Sequence, residues 1–168
     1  MMELACPWPL ILNMERSIKI NYQVLRRSEL SEEQLRLEAA ALKAAEGAYA
    51  PYSHFHVGAA VLLDNGEIVT GSNQENAAYP SGICAERTAL FWAASQWPEA
   101  AVACLAIVAT NEAGRVPFIS PCGACRQVIL ETATRYRPFP VLLCGEQEAF
   151  LLEDSRQLLP FGFDGSAL

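Results

Sequence analysis

Hydrophobic positions change their period several times along this chain, and each change marks an element. Ile18, Ile20, Tyr22 and Val24 alternate with other residues over 18–24, the period-two pattern of a strand with one buried face. Ser31 followed three positions later by Gln34 reads as a capping box, so a helix is predicted to open there and to run through Ala-, Leu- and Glu-rich sequence to about Ala48. After a Pro51-Tyr52-Ser53 bend, apolar stretches over 57–63 and 67–72 flank Asp64-Asn65-Gly66, a β-hairpin with good turn chemistry. Helical spacing then runs from Cys84 to about Trp97, where Pro98 stops it. Residues 101–110, AVACLAIVAT, are apolar almost throughout, as a strand covered on both faces should be. A third helix is predicted after Cys122, a strand over 139–144 and a short helix near 154–159. Strands and helices alternate after the hairpin, which predicts an α/β fold, a three-layer α/β/α sandwich on one mixed β-sheet.

Length and composition narrow this picture. A chain of 168 residues suits one domain with a real core, and no repeat, low-complexity tract or linker interrupts it. The opening MMELACPWPLILN is apolar, lacks a basic start and contains two prolines, a poor secretory signal. Met14 begins sequence of a different character, so residues 1–13 are expected to be a disordered extension or an upstream start, and 14–168 a single unit. No apolar run reaches the 18 or so residues of a membrane span, which argues against a membrane partner. With 52% hydrophobic and only 18% charged residues, some apolar surface is expected to be covered by self-association. The net charge of −7 argues against nucleic acid, whose binding depends on Lys and Arg displacing counterions. Six cysteines without a signal peptide point to a reducing, cytoplasmic setting in which clustered thiols bind metal more often than they pair.

Two short pieces carry the candidate chemistry: Cys84-Ala85-Glu86 and Pro121-Cys122-Gly123-Ala124-Cys125. Together they supply three thiolates and a carboxylate, and three protein ligands are the usual count for a catalytic Zn2+ that keeps a fourth position for water. Cys122 and Cys125, three apart, share one face of a helix. Cys84 and Glu86, two apart, converge only if Cys84 sits at the helix cap. Two helix N-termini then point their positive ends at the thiolates. Three thiolates leave zinc with a net negative charge that weakens its acidifying power, so a hydrogen-bonding cation is expected nearby. Arg87 is one candidate and Arg126 the other. A CxxC pair alone would equally fit a redox pair or half of a structural zinc site. Joined to Pro121 and to Cys84-Ala85-Glu86, it matches the signature of the zinc deaminases. Cys104 and Cys144 fall within apolar strand patterns and read as core residues. His54 and His56 flank Phe55 in what reads as strand and are assigned no chemistry.

From about residue 35 onward the chain resembles the homotetrameric cytidine deaminases, through AYAPYSHFHVGAA, GSNQENAAYPSGICAERTAL, SPCGACRQVILE and LLPFGF. The resemblance implies that Cys84, Cys122 and Cys125 hold zinc and that Glu86 shuttles protons. It implies hydrolytic deamination of cytidine and deoxycytidine, a step of pyrimidine salvage, with water activated at zinc attacking C4 of the pyrimidine. It also implies that Asn73 and Glu75 hold the ribose hydroxyls, that Phe55 packs on the pyrimidine, and that Tyr79 borders the site and a subunit interface. Phe163 corresponds to a C-terminal aromatic that reaches a neighbouring subunit's site, and Ala85 is grouped with the substrate-binding positions. Gln74 and Ser72 depart from the family pattern, and the strand before residue 30 lies beyond the family core. A deaminase of nucleotides, RNA or the antibiotic blasticidin S, and a zinc-stabilised binding module without catalysis, are the rival readings. Acidic charge weighs against a polymer, the Asn73–Glu75 pair against a ligand without ribose hydroxyls, and Glu86 against a purely structural site.

Overall fold

The computed structural model describes residues 15–165, so the expectation for residues 1–13 falls outside it. Seven strands, β1 (Gln23–Arg26), β2 (His56–Leu63), β3 (Ile68–Ser72), β4 (Val102–Asn111), β5 (Gly114–Arg115), β6 (Val141–Cys144) and β7 (Glu148–Leu152), form one sheet. Its order is β1-β7-β6-β4-β2-β3, with β5 paired to β4. The β4–β6 pair is parallel and the other pairs are antiparallel, so the sheet is mixed. Helix α1 (Glu32–Ala45) covers one face, while α2 (Ala85–Gln96) and α3 (Gly123–Arg135) cover the other. The result is the three-layer α/β/α arrangement.

Strand β4 shows why an unbroken apolar run was needed. Leu105 and Ile107 pack toward α2 and α3 with Leu90, Ile129 and Val141, whereas Cys104, Ala106 and Val108 pack toward α1 with Leu37 and Ala41. Successive side chains point to opposite faces, and here both faces are buried. Burial pushes the Cys104 and Cys144 thiols up to about 12, which suits inert core residues. Close packing of helices on the sheet depends on two glycines. A Cβ on Gly58 would lie 1.9 Å from Ala41 O of α1, and one on Gly71 would lie 2.6 Å from both Ala85 O and Ala89 N of α2.

The capping box is present: Gln34 N donates to Ser31 Oγ at 3.2 Å and Ser31 N donates to Gln34 Oε1 at 2.9 Å. Helix α1 ends at Ala45 rather than near Ala48, because Tyr49 N turns away to donate to Asn73 O at 3.0 Å. The hairpin forms as read, with Leu62 opposite Ile68 and Gly66 at a φ of 89°. The first strand is corrected from 18–24 to Gln23–Arg26. Its register, Gln23 opposite Leu151, runs off the end of β7 just upstream, so Asn21 N donates instead to Gln157 Oε1 at 2.8 Å. Tyr22 keeps an apolar contact by stacking on Phe150, with ring centroids 5.8 Å apart. His54 is also corrected: it lies in the turn before β2, at a φ of 53°. Strands β5 and β7 and an ion-pair cluster were not anticipated. In that cluster buried Glu38 of α1 receives Arg27 Nε at 3.1 Å and also Arg115 of β5.

Candidate metal centre and adjoining cavity

Helices α2 and α3 present their N-termini to one place, and a cysteine caps each. Cys84 is the N-cap of α2 and Cys122 the N-cap of α3, both with extended backbone. Cys125 follows within the first turn of α3 and is fully buried. As N-cap, Cys84 stands outside the helical cylinder, so Glu86 two residues later can share its side of the helix end. The three Sγ atoms all lie within 4.8 Å of one another, and Cys84 Sγ to Cys122 Sγ is 3.8 Å. Tetrahedral zinc with Zn–S bonds of about 2.3 Å requires S···S edges of roughly 3.8 Å, so the thiols fit that ion. Among the described residues no other Cys, His, Asp or Glu joins the trio.

The surroundings differ for each group. A hydrogen bond from Cys125, reinforced by the Arg87 guanidinium, outweighs burial and holds the Cys84 thiol down at about 5. Cys125, the donor in that pair, is raised. Arg87 Nη2 reaches Cys84 Sγ at 3.7 Å. Glu86 is only 4% exposed. Burial, assisted by the negative charge of Cys84, raises its carboxyl above the ordinary range, which favours its protonated form relative to a solvent-exposed glutamate.

Arg126 corrects the reading made for it. Its Nε donates to Pro121 O at 2.9 Å, its Nη2 to Ser120 Oγ at 2.7 Å and its Nη1 to Leu158 O at 3.2 Å. The side chain therefore braces the loop before Cys122 against the C-terminal turn, and its hydrogen bonds go to oxygens instead of sulfur.

Cys84 and Arg87 line a cavity of about 480 Å³, whose lining also includes Tyr52, Ser53, Asn73, Glu75 and Tyr79. The structure thus brings Asn73, Glu75 and Tyr79 beside the thiol cluster. Both amide ends of Asn73 are engaged: Oδ1 accepts from Val57 N at 2.7 Å and Nδ2 donates to Phe55 O at 2.9 Å. Glu75 accepts from Tyr52 N at 2.9 Å, Ser53 N at 3.3 Å and Ser53 Oγ at 2.5 Å. These bonds, that from the Ser53 hydroxyl first, lower its carboxyl below the usual range. Tyr79 is 78% exposed and makes an edge contact with Tyr52 at 6.3 Å between centroids. Phe55, Ala85 and Phe163 do not line this cavity. The Ala85 side chain is in the core, so any substrate contact would come from its backbone N–H, which a first helical position leaves free of intrahelical bonding. Phe163 is 64% exposed, anchored through its carbonyl to Gln127 Nε2 at 2.7 Å. Ser53 and Tyr52 were passed over in the sequence as bend residues. The clue was their neighbourhood in PYSHF, where a serine hydroxyl can accept from the backbone N–H two residues on and still donate elsewhere, here to Glu75.

A mixed sheet between helical layers, with three thiols gathered at two helix N-termini and a buried carboxyl beside them, defines a zinc-site α/β/α protein. Residues 31–139 match the family model for the cytidine and deoxycytidylate deaminase zinc-binding region, more than half of the chain, and the chain belongs to that family. It is 50% identical over 91 residues to a cytidine deaminase of Halalkalibacterium halodurans, covering 54% of this chain and 65% of that one. It is 39% identical over 121 residues to a probable cytidine deaminase of Dictyostelium discoideum, covering 72% and 77%. The chain thus spans about two thirds of the first relative's length. Among solved structures, the cytidine deaminase of Burkholderia pseudomallei superposes with a TM-score of 0.67 at 39% identity, over 80% of this chain and 100% of that one. The Mycobacterium tuberculosis enzyme gives 0.62 at 32% identity, over 80% and 99%.

Proposed function

We propose that this chain hydrolyses the 4-amino group of cytidine and deoxycytidine, releasing ammonia and the corresponding uridine. The observation that carries this reading is the convergence of Cys84, Cys122 and Cys125 beside buried Glu86, with no fourth ligating side chain among the described residues. In this reading the three cysteines hold Zn2+, which when bound supplies the Lewis acidity that makes water nucleophilic near neutral pH. Glu86 accepts one proton from the attacking water and passes it to the pyrimidine N3, then accepts the second proton of that oxygen and delivers it to the departing amine, so the carboxylate ends as it began. Arg87, drawing on a cysteine sulfur at 3.7 Å, offsets the excess negative charge of three thiolates. Asn73 and Glu75 meet the sugar hydroxyls, Phe55 packs on the pyrimidine, and Ala85 contributes its N–H.

The catalytic unit is residues 14–168 and works as a homotetramer, in which Tyr79 lies at a subunit border and Phe163 reaches a neighbouring site. Support for assembly comes from the exposure of Tyr79, Phe91, Trp92, Phe161 and Phe163, aromatic surface that association would cover. The setting is cytoplasmic pyrimidine salvage, supported by the free thiols at the site and by the acidic charge, which disfavours nucleic acid. Among the described residues no helix is long and apolar enough to cross a membrane. The test is the absorbance change on mixing purified protein with cytidine, deoxycytidine, CMP or blasticidin S. Turnover of the two nucleosides alone is expected. Turnover of only CMP or blasticidin S, or of none, overturns the substrate assignment.

A further inference from the structure

The turn before β2 carries a hydroxyl that connects two groups of the candidate site. Ser53 Oγ accepts from Phe55 N at 3.1 Å and donates to Glu75 Oε1 at 2.5 Å. Chemistry settles both directions, because a backbone N–H can only donate and an ionised carboxylate can only accept. The other carboxylate oxygen, Oε2, takes Tyr52 N at 2.9 Å and Ser53 N at 3.3 Å. The turn itself is held in place, with His54 in the left-handed region at a φ of 53° and its N–H donating to Ala50 O at 3.0 Å. A non-glycine residue adopts that conformation at a cost, which surrounding contacts must offset. Glu75 is thereby clamped by three donors from one turn while it lines the cavity that Cys84 also lines. Each carboxylate oxygen offers about two lone-pair sites, so Oε1 retains capacity for one more donor.

We propose that Ser53 is a positioning residue for sugar recognition, fixing the Glu75 carboxylate so that its remaining lone pair meets a hydroxyl of the bound nucleoside. This rests on the nucleoside reading above and deepens it. A carboxylate already oriented loses little rotamer freedom when substrate binds. Without the Ser53 hydroxyl, Oε1 loses its donor and the carboxylate is held by its Oε2 alone, through the Tyr52 and Ser53 N–H groups, so the direction of the Oε1 lone pair is less well fixed. The loss belongs to binding, and it belongs to substrates that bear sugar hydroxyls.

Steady-state kinetics of Ser53→Ala and Ser53→Thr with cytidine and dideoxycytidine tests this, with Glu75→Ala as a second background. For Ser53→Ala, KM for cytidine is expected to rise about tenfold with kcat within about twofold, the scale of a lost hydrogen bond to a charged group. KM for dideoxycytidine should change by less than about twofold, Ser53→Thr should restore the cytidine value, and Ser53→Ala should add nothing in the Glu75→Ala background. Equal KM penalties for both substrates, no penalty at all, or a full penalty in the Glu75→Ala background would overturn the assignment. The outcomes separate the two layers of the argument. A Glu75→Ala penalty confined to cytidine, alongside a silent Ser53→Ala, removes the role of Ser53 and leaves the sugar role of Glu75 standing. A Glu75→Ala variant that treats both substrates alike removes the two together.

Discussion

Glu86 stands two residues from Cys84, a spacing that on a regular helix turns side chains by about 200°. Placing Cys84 at the cap of α2 is what lets both serve one site. Glu86→Gln keeps the shape and loses the titratable proton. It is expected to retain one zinc per chain by metal analysis while kcat falls at least about 10³-fold, within the range that proton transfer contributes. Arg87→Ala should also retain zinc, since the cysteines are intact, but turnover should fall about 10- to 100-fold as the thiolate charge goes uncompensated. Which side chains gather was legible in the chain: Cys84, Cys122, Cys125 and Glu86 could be picked out by spacing, and the fold brings the three thiols together. Hydrogen-bond partners were not. Arg126 and Arg87 look alike in sequence, each following a Cys-containing piece, and only the fold reveals that one guanidinium faces sulfur and the other backbone oxygens.

At the scale of elements, the hairpin and the three helices could be read because their signals are local: a capping box, a glycine turn, a proline stop. Strand β7 (Glu148–Leu152) and two-residue β5 could not, since five and two residues carry too little periodicity and owe their form to partners distant in the chain. Buried Glu38 was hidden among the glutamates of α1 for the same reason. Arg27 and Arg115, which donate to it, come from outside the helix. Glu38→Ala would leave the mostly buried Arg115 without its carboxylate, and is expected to cost about 3 kcal/mol in denaturant unfolding. Gly71→Ala tests the seating of α2. Its methyl would lie 2.6 Å from Ala85 O, so the helix that Cys84 caps must shift. Both the melting temperature and zinc affinity, by competition with a chromophoric chelator, should drop.

The whole molecule is organised so that one end of the sheet sandwich bears the chemistry. Two helix N-termini meet there, and the metal would tie α2 to α3 as well as serve catalysis. Removing it with a chelator is expected to abolish turnover and lower the melting temperature, and adding Zn2+ should restore both. An apo protein that melts no lower than the holo form would show that the ion contributes nothing to holding the helices together.

The strand contributed by residues ahead of the family-matching region has a different bearing. By pairing with β7 it exchanges the rim of the sheet, placing Gln23 and Arg26 where Glu148 to Leu152 would otherwise present unpaired amides and carbonyls. A version trimmed to start at Ser31 would bare that ribbon together with the Phe150 ring that Tyr22 now shields, inviting other chains to zip onto it. The trimmed protein should scatter light at concentrations where the full chain stays clear, the outcome expected if this short strand guards the sheet against clumping; equal clarity of the two would show that it does not.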